Sequence, residues 1–112
     1  MSIQHKSLAA GRWQRMPLAE QLANVGSEVE RTISWREKGD LEYSRQALWR
    51  ALELLSFTKD SVKGSQLREI SRLYELLVDY FAGGNQFKST DRLWRNYFNS
   101  FTYLTALRRS KV

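Results

Sequence analysis

The chain has no cysteine, which removes disulfides, thiolate metal sites and thiol nucleophiles and fits a reducing cytoplasm. Its single histidine, His5, lies near the start, ahead of any helical pattern. A general base or metal ligand must be held rigidly, and a chain end does not supply that. His5 therefore reads as an exposed tail residue. One proline and six glycines leave little room for long irregular segments. No apolar run approaches the roughly 20 residues of a membrane span, and residues 1–11 lack the apolar centre of a signal peptide. The expectation is a soluble, cytoplasmic protein with no membrane partner. Gly83-Gly84-Asn85 lacks the Lys-Ser/Thr ending of a phosphate-binding loop. No Glu-x-x-His pair is present to build a metal centre inside a bundle. Neither a metal nor a cofactor is expected.

What remains is ordinary for a folded domain. The length of 112 residues suits one domain with a modest core. The 42% hydrophobic fraction and 27% charged fraction are typical, and 12% aromatics argue against disorder. A net charge of +6 raises the prospect of an anionic partner such as nucleic acid. The basic residues are nevertheless spread along the chain, apart from Arg108, Arg109 and Lys111. Charge without a clustered footprint more simply keeps a small protein in solution.

Periodicity predicts four helices and no strand. Residues 1–16 are polar and read as a short N-terminal arm, with Trp13 and Met16 able to anchor it. Pro17 suits the start of a first helix over 17–38. There Leu18, Leu22, Val25, Val29 and Ile33 recur at spacings of four, three, four and four. Gly39 can end that helix in the left-handed conformation. Asp40 can cap a second helix running to about residue 59. Leu41, Leu48, Ala51, Leu52 and Leu55 form its main stripe. Tyr43, Leu54 and Phe57 lie off that stripe, which implies more than one packing neighbour. Ser65 is placed to cap a third helix, apolar over a wide arc through Leu67, Ile70, Leu73, Leu77 and Phe81. Gly83-Gly84-Asn85 stops it. Ser89 or Thr90 can cap a last helix reaching residue 109, with Asp91 in its first turn. Short connectors predict an all-α, up-down four-helix bundle over residues 17–112. The broad apolar arcs of the second and third helices leave a dimer open as a way of completing the core.

Two polar groupings are candidates for function. On the first helix Gln21, Asn24, Glu28, Arg31 and Trp35 share one row. They read either as a polar groove for a partner or ligand, or as an inter-helix seam in which Glu28 pairs with Arg31 or Arg45. The second reading rests on how common such helix pairs are. On the last helix, Trp94, Tyr97, Phe98, Phe101 and Leu104 share one face. Arg92, Arg95, Asn96, Asn99 and Tyr103 share the other. With Trp49 and Arg50, the residues Arg92, Arg95, Asn96 and Asn99 read either as a basic surface for RNA or nucleotides, or as a solvated polar face. No catalytic residue is assigned, since one Arg such as Arg95 and one acid such as Glu28 do not define a reaction.

The run Arg95-Asn96-Tyr97-Phe98-Asn99-Ser100-Phe101, in a four-helix layout, resembles the HEPN family (higher eukaryotes and prokaryotes nucleotide-binding domain). Many of that family are dimeric, metal-independent ribonucleases whose motif is an Arg, usually a polar residue, and a His four to six residues beyond the Arg. Here Phe101 stands where the His is needed. The resemblance thus implies a non-catalytic member: a dimeric module, or a companion to a nucleotidyltransferase-like protein. Length and composition also resemble those of small helical proteins of prokaryotes. The reading that follows is an interaction module acting through homo-oligomerisation, a homodimer above all, or through a protein partner. The alternative is an RNA- or nucleotide-binding module using the last helix.

Overall fold

The computed structural model describes residues 11–110, and His5 and Lys111 lie outside this range. A short 3-10 turn (Trp13–Arg15) leads into four helices: α1 (Leu18–Glu37), α2 (Leu41–Ser61), α3 (Gly64–Ala82) and α4 (Asp91–Ser110). No strand occurs among the described residues. The molecule is an all-α four-helix bundle.

Local chemistry sets most helix ends. Gly39 takes φ +81° and closes α1, a conformation that an L side chain resists. The Asp40 carboxylate accepts from the Tyr43 N–H at 3.0 Å and starts α2. The Thr90 hydroxyl accepts from the Leu93 N–H at 3.1 Å and starts α4. Ser65 does not cap α3. The cap position is Lys63, which offers no side-chain bond, and Ser65 already lies inside the first turn. Pro17 stands at the cap of α1, one place before its first helical residue.

Helix directions follow from cross-helix bonds. Ser44 Oγ of α2 donates to the Thr32 carbonyl at 2.8 Å, and Arg50 Nε of α2 to Glu28. Arg109 of α4 reaches Glu20 near the start of α1, and Arg36 near the end of α1 reaches Asp91. Both neighbours are therefore antiparallel to α1, giving the expected up-down order.

The core is centred on α1. Leu22, Val25, Val29 and Ile33 are buried in one cluster with Leu48, Ala51 and Leu55 of α2 and with Trp94 and Phe98 of α4. Each buried Leu, Val, Ile or Phe among them stabilises the fold by about 1.5–3 kcal/mol relative to exposure. Packing is most extensive between α1 and α2, then between α1 and α4, while α3 leans on α2. The off-stripe residue Leu54 is buried, as a second neighbour requires.

Two features tighten this frame. At Gly26 an added Cβ would lie 2.6 Å from Phe98 Cβ, so glycine allows α1 and α4 their close approach. Trp13 is 1% exposed and its Nε1 donates to Thr58 Oγ1 at 3.0 Å. Gln21 Nε2 donates to the carbonyls of Trp13 and Met16. The last residues of the predicted arm are thus part of the packed body, because the indole has both a dry site and a hydrogen-bond acceptor.

Candidate functional site

The polar row on α1 divides once the helix is packed. Gln21 and Glu28 are buried. Gln21 holds the Trp13 turn, and the Glu28 carboxylate accepts from Arg31 on its own helix and from Arg50 on α2. Arg45 pairs instead with Glu42. Asn24 is exposed and donates to the Glu20 carbonyl. Trp35 is half-buried, with the Tyr43 ring 4.9 Å away and the Lys38 ammonium over its own ring. Glu28 therefore belongs to an inter-helix seam. Two guanidinium groups neutralise it, which is what a carboxylate in a dry interface needs.

The polar face of α4 also divides. Arg95 donates from Nε and Nη2 to the Glu30 carboxylate, and from Nη2 to Glu37 at 2.9 Å. These bonds from Glu30 and Glu37 raise the Arg95 pKa above its already high ordinary value. Asn99 lines a groove of about 490 Å³ between α1 and α4, together with Glu30, Arg31, Arg95 and Thr102. Asn96 lines a different groove, on the α3 side of the same helix. Arg92 is exposed. Trp49 lines a third groove among residues of α1, α2 and α3, with none from α4. Tyr103 is exposed, and Arg50 is engaged with Glu28. The residues proposed for nucleic-acid contact thus lie on several surfaces, and two of the arginines already hold carboxylates.

A cluster that sequence reading did not single out joins three helices. The Asp91 carboxylate, in the first turn of α4, accepts from Tyr80 Oη of α3 at 2.6 Å and from Arg36 of α1. The Arg36 guanidinium also lies over the Tyr80 and Phe81 rings, 5.5 and 5.4 Å from their centroids. Burial alone would raise the Asp91 carboxyl, but the hydrogen bonds from Tyr80 and Arg36 outweigh it and hold its pKa below the ordinary value. Tyr80 is pushed up by burial and by its bond to Asp91. Position in the first turn was the visible signal at Asp91. Its partners lie 11 and 55 residues away and could not be read from local spacing.

An open space separates α3 from α4 along most of their length. Tyr80 and Asp91 tie the two helices at one end, but along their length they scarcely pack against each other. A trough of about 600 Å³ runs between them, walled by Leu73, Leu76, Leu93, Trp94 and Tyr97, with Glu69, Arg72 and Asn96 at its rim. Leu93 is 57% exposed, and Leu67, Leu104 and Leu107 also reach the surface. The expected inner wall of α4 is therefore only partly internal. Trp94 and Phe98 are buried, Tyr97 and Phe101 are half-buried, and Leu104 is exposed. The reason is geometric: an apolar arc wider than one neighbour covers remains open where α3 stands off. Burial, with a contribution from Glu69, raises the Tyr97 phenol pKa.

No helix among the described residues is long and apolar enough to cross a membrane. Comparison with family models, curated proteins and solved structures gave no match.

Proposed function

We propose that this chain is a non-catalytic helical-bundle interaction module, and that it acts by self-association through the open face of α3 and α4. The observation that carries this reading is the apolar trough, with Leu93 standing exposed on its edge. A single exposed leucine is unremarkable. A contiguous apolar surface with a polar rim is the pattern of an interaction site. The face lies where two helices fail to close on each other, so an added pair of helices completes the layer as a bundle neighbour would. The HEPN resemblance agrees with a dimeric, non-catalytic module.

Light scattering after size exclusion tests this reading. The wild-type chain is expected to show a mass that rises with concentration. Leu93→Glu should remain monomeric and fully helical, because Leu93 contributes little to the core. A wild-type chain that stays monomeric at high concentration would refute it.

Nucleotide or RNA binding along α4 has weaker support. Arg95 already holds Glu30 and Glu37, so phosphate would have to displace two carboxylates.

A further inference from the structure

We infer that one end of the bundle is a docking surface for the phosphate backbone of a nucleic-acid duplex, bound without regard to sequence. This goes beyond the self-association reading and does not rest on it, since none of the cations involved lines the α3–α4 trough.

The fold gathers charges that the sequence scatters. In an up-down bundle the start of α1, the end of α2, the start of α3 and the end of α4 share one end. Two bonds fix this here. Trp13 Nε1 reaches Thr58 in the last turn of α2, and Arg109 reaches Glu20 in the first turn of α1. Pro17, Thr105 and Arg108 line one small cavity there, and only Val62 and Lys63 separate α2 from α3. Residues 11–20, 59–68 and 105–110 make up this end. They hold seven cations and two carboxylates, Glu20 and Asp60. All other described residues hold nine cations and ten carboxylates. The positive excess of the described residues therefore lies at this end.

Pairing sharpens the contrast. Elsewhere Arg31, Arg36, Arg45, Arg50 and Arg95 hold carboxylates. At this end only Arg109 does, with Glu20. Lys59 lies over the Tyr74 ring. Arg12, Arg15, Lys63, Arg68 and Arg108 are exposed, and none forms an ion pair with another described residue. Unpaired cations held close together repel one another, and a polyanion relieves that repulsion.

Surface chemistry selects the polyanion. A protein interface has a core depleted of charge, and a bilayer surface is held by inserted apolar and aromatic groups as well as by cations. At this end Trp13 is buried, no aromatic ring is exposed, and the exposed large apolar side chains are Leu67 and Leu107 alone. Single strands are held by stacking their bases on exposed rings, which this end also lacks. A duplex stacks its bases internally and can be held through its phosphates alone. Five of the seven cations are arginine, whose planar fork suits phosphate oxygens. The smallest dimension of the molecule is 26 Å, over which a DNA duplex presents roughly 15 phosphate charges. Five unpaired cations can each find one.

Salt dependence tests this on the full chain. A labelled DNA duplex of about 20 base pairs is titrated by fluorescence anisotropy at about 50–200 mM salt. Five phosphate contacts predict a slope of log K against log salt of about −4.5, a loss of about 500-fold across that range. Arg15→Gln with Arg108→Gln should bring the slope to about −2.7 with helical content unchanged. Lys88→Gln with Arg92→Gln removes the same charge from the opposite end of the bundle and should leave the slope at the wild-type value. An RNA duplex of the same sequence is titrated in parallel. Either duplex bound with this pattern supports the proposal and identifies the source of the phosphate. Failure of both to bind at about 50 mM salt overturns it. An equal fall in slope for the two variant pairs also overturns it, because net charge would then act from anywhere on the surface, and so does an unchanged slope for the Arg15 and Arg108 pair. Capture by phosphatidylserine vesicles without binding to either duplex would assign this end to a bilayer, and the proposal would fall.

Discussion

Adding one methyl group at Gly26 sets two effects of known size against each other. In an exposed helix interior, Gly→Ala stabilises by about 1 kcal/mol, because alanine loses less backbone freedom on folding. At Gly26 the new Cβ would meet Phe98 Cβ at 2.6 Å, Cγ at 2.9 Å and Cδ1 at 3.0 Å. Carbon atoms rest at about 3.5–4.0 Å, so α4 must withdraw from α1 by about 1 Å. The closest atom is the root of the Phe98 side chain, which no rotamer change can move aside. Overpacking of this kind costs about 1–3 kcal/mol. With the propensity gain subtracted, Gly26→Ala should destabilise by about 0–2 kcal/mol, lowering Tm by up to about 10 °C. Urea unfolding at one fixed protein concentration measures it, with the slope expected to stay unchanged. Ser27→Ala, one residue along on an exposed position, is the control and should lie within about 0.5 kcal/mol of wild type. A gain of about 1 kcal/mol from Gly26→Ala would mean that propensity acts unopposed and that α1 and α4 do not approach as described.

Three other outcomes follow from the same packing. Trp13→Phe removes the bond from Nε1 to Thr58 and should cost about 1 kcal/mol, whereas Trp13→Ala, which empties a dry site, should cost about 3–5 kcal/mol; chemical denaturation separates the two. The folded-state pKa of Asp91 is depressed, so its ion pair contributes stability above the unfolded carboxyl pKa and loses it as pH falls through the folded value. Asp91→Asn should therefore be about 1–2 kcal/mol less stable at neutral pH and should lose less stability than wild type below pH ~4; parallel acid-side loss in both proteins would contradict the assignment. Arg95→Ala should change stability by only about 0–1 kcal/mol, because Arg95, Glu30 and Glu37 are all solvent-exposed to a substantial degree; a thermal melt decides. In the same experiment set, short RNA bound with a steep salt dependence that Arg92→Ala and Arg95→Ala remove together would overturn the preference for protein contact.

The four helices were legible because their signals are local. Apolar residues three and four apart mark α1, Asp40 and Thr90 cap with their own oxygens, and Gly39 takes the conformation glycine makes easy. Ser65 was misplaced because a cap depends on where the preceding residue leaves helical geometry, and here that residue is Lys63. The candidate sites were less legible because their partners are distant in sequence. Nothing near Glu28 points to Arg50 across the α1–α2 interface, and nothing near Asp91 points to Arg36. The aromatic face of α4 could be read as apolar but not as half-covered, since coverage depends on how far α3 stands away. Leu104 carries that lesson: its periodicity is that of a core residue, and it is exposed. Proximity in the sequence likewise joined Asn96 and Asn99, which the helix turns into separate grooves.

The central claim is that this module works by covering its α3–α4 face. The most direct measurement is the mass of wild type and Leu93→Glu in parallel by light scattering, from about 1 μM to 1 mM, the range in which weak, reversible self-association is detected. Wild type should climb from the 13.2 kDa monomer toward twice that mass, while Leu93→Glu holds at the monomer with unchanged helical content. A wild-type mass that stays at the monomer across the whole range, or a Leu93→Glu curve that overlays the wild-type rise, would contradict the account.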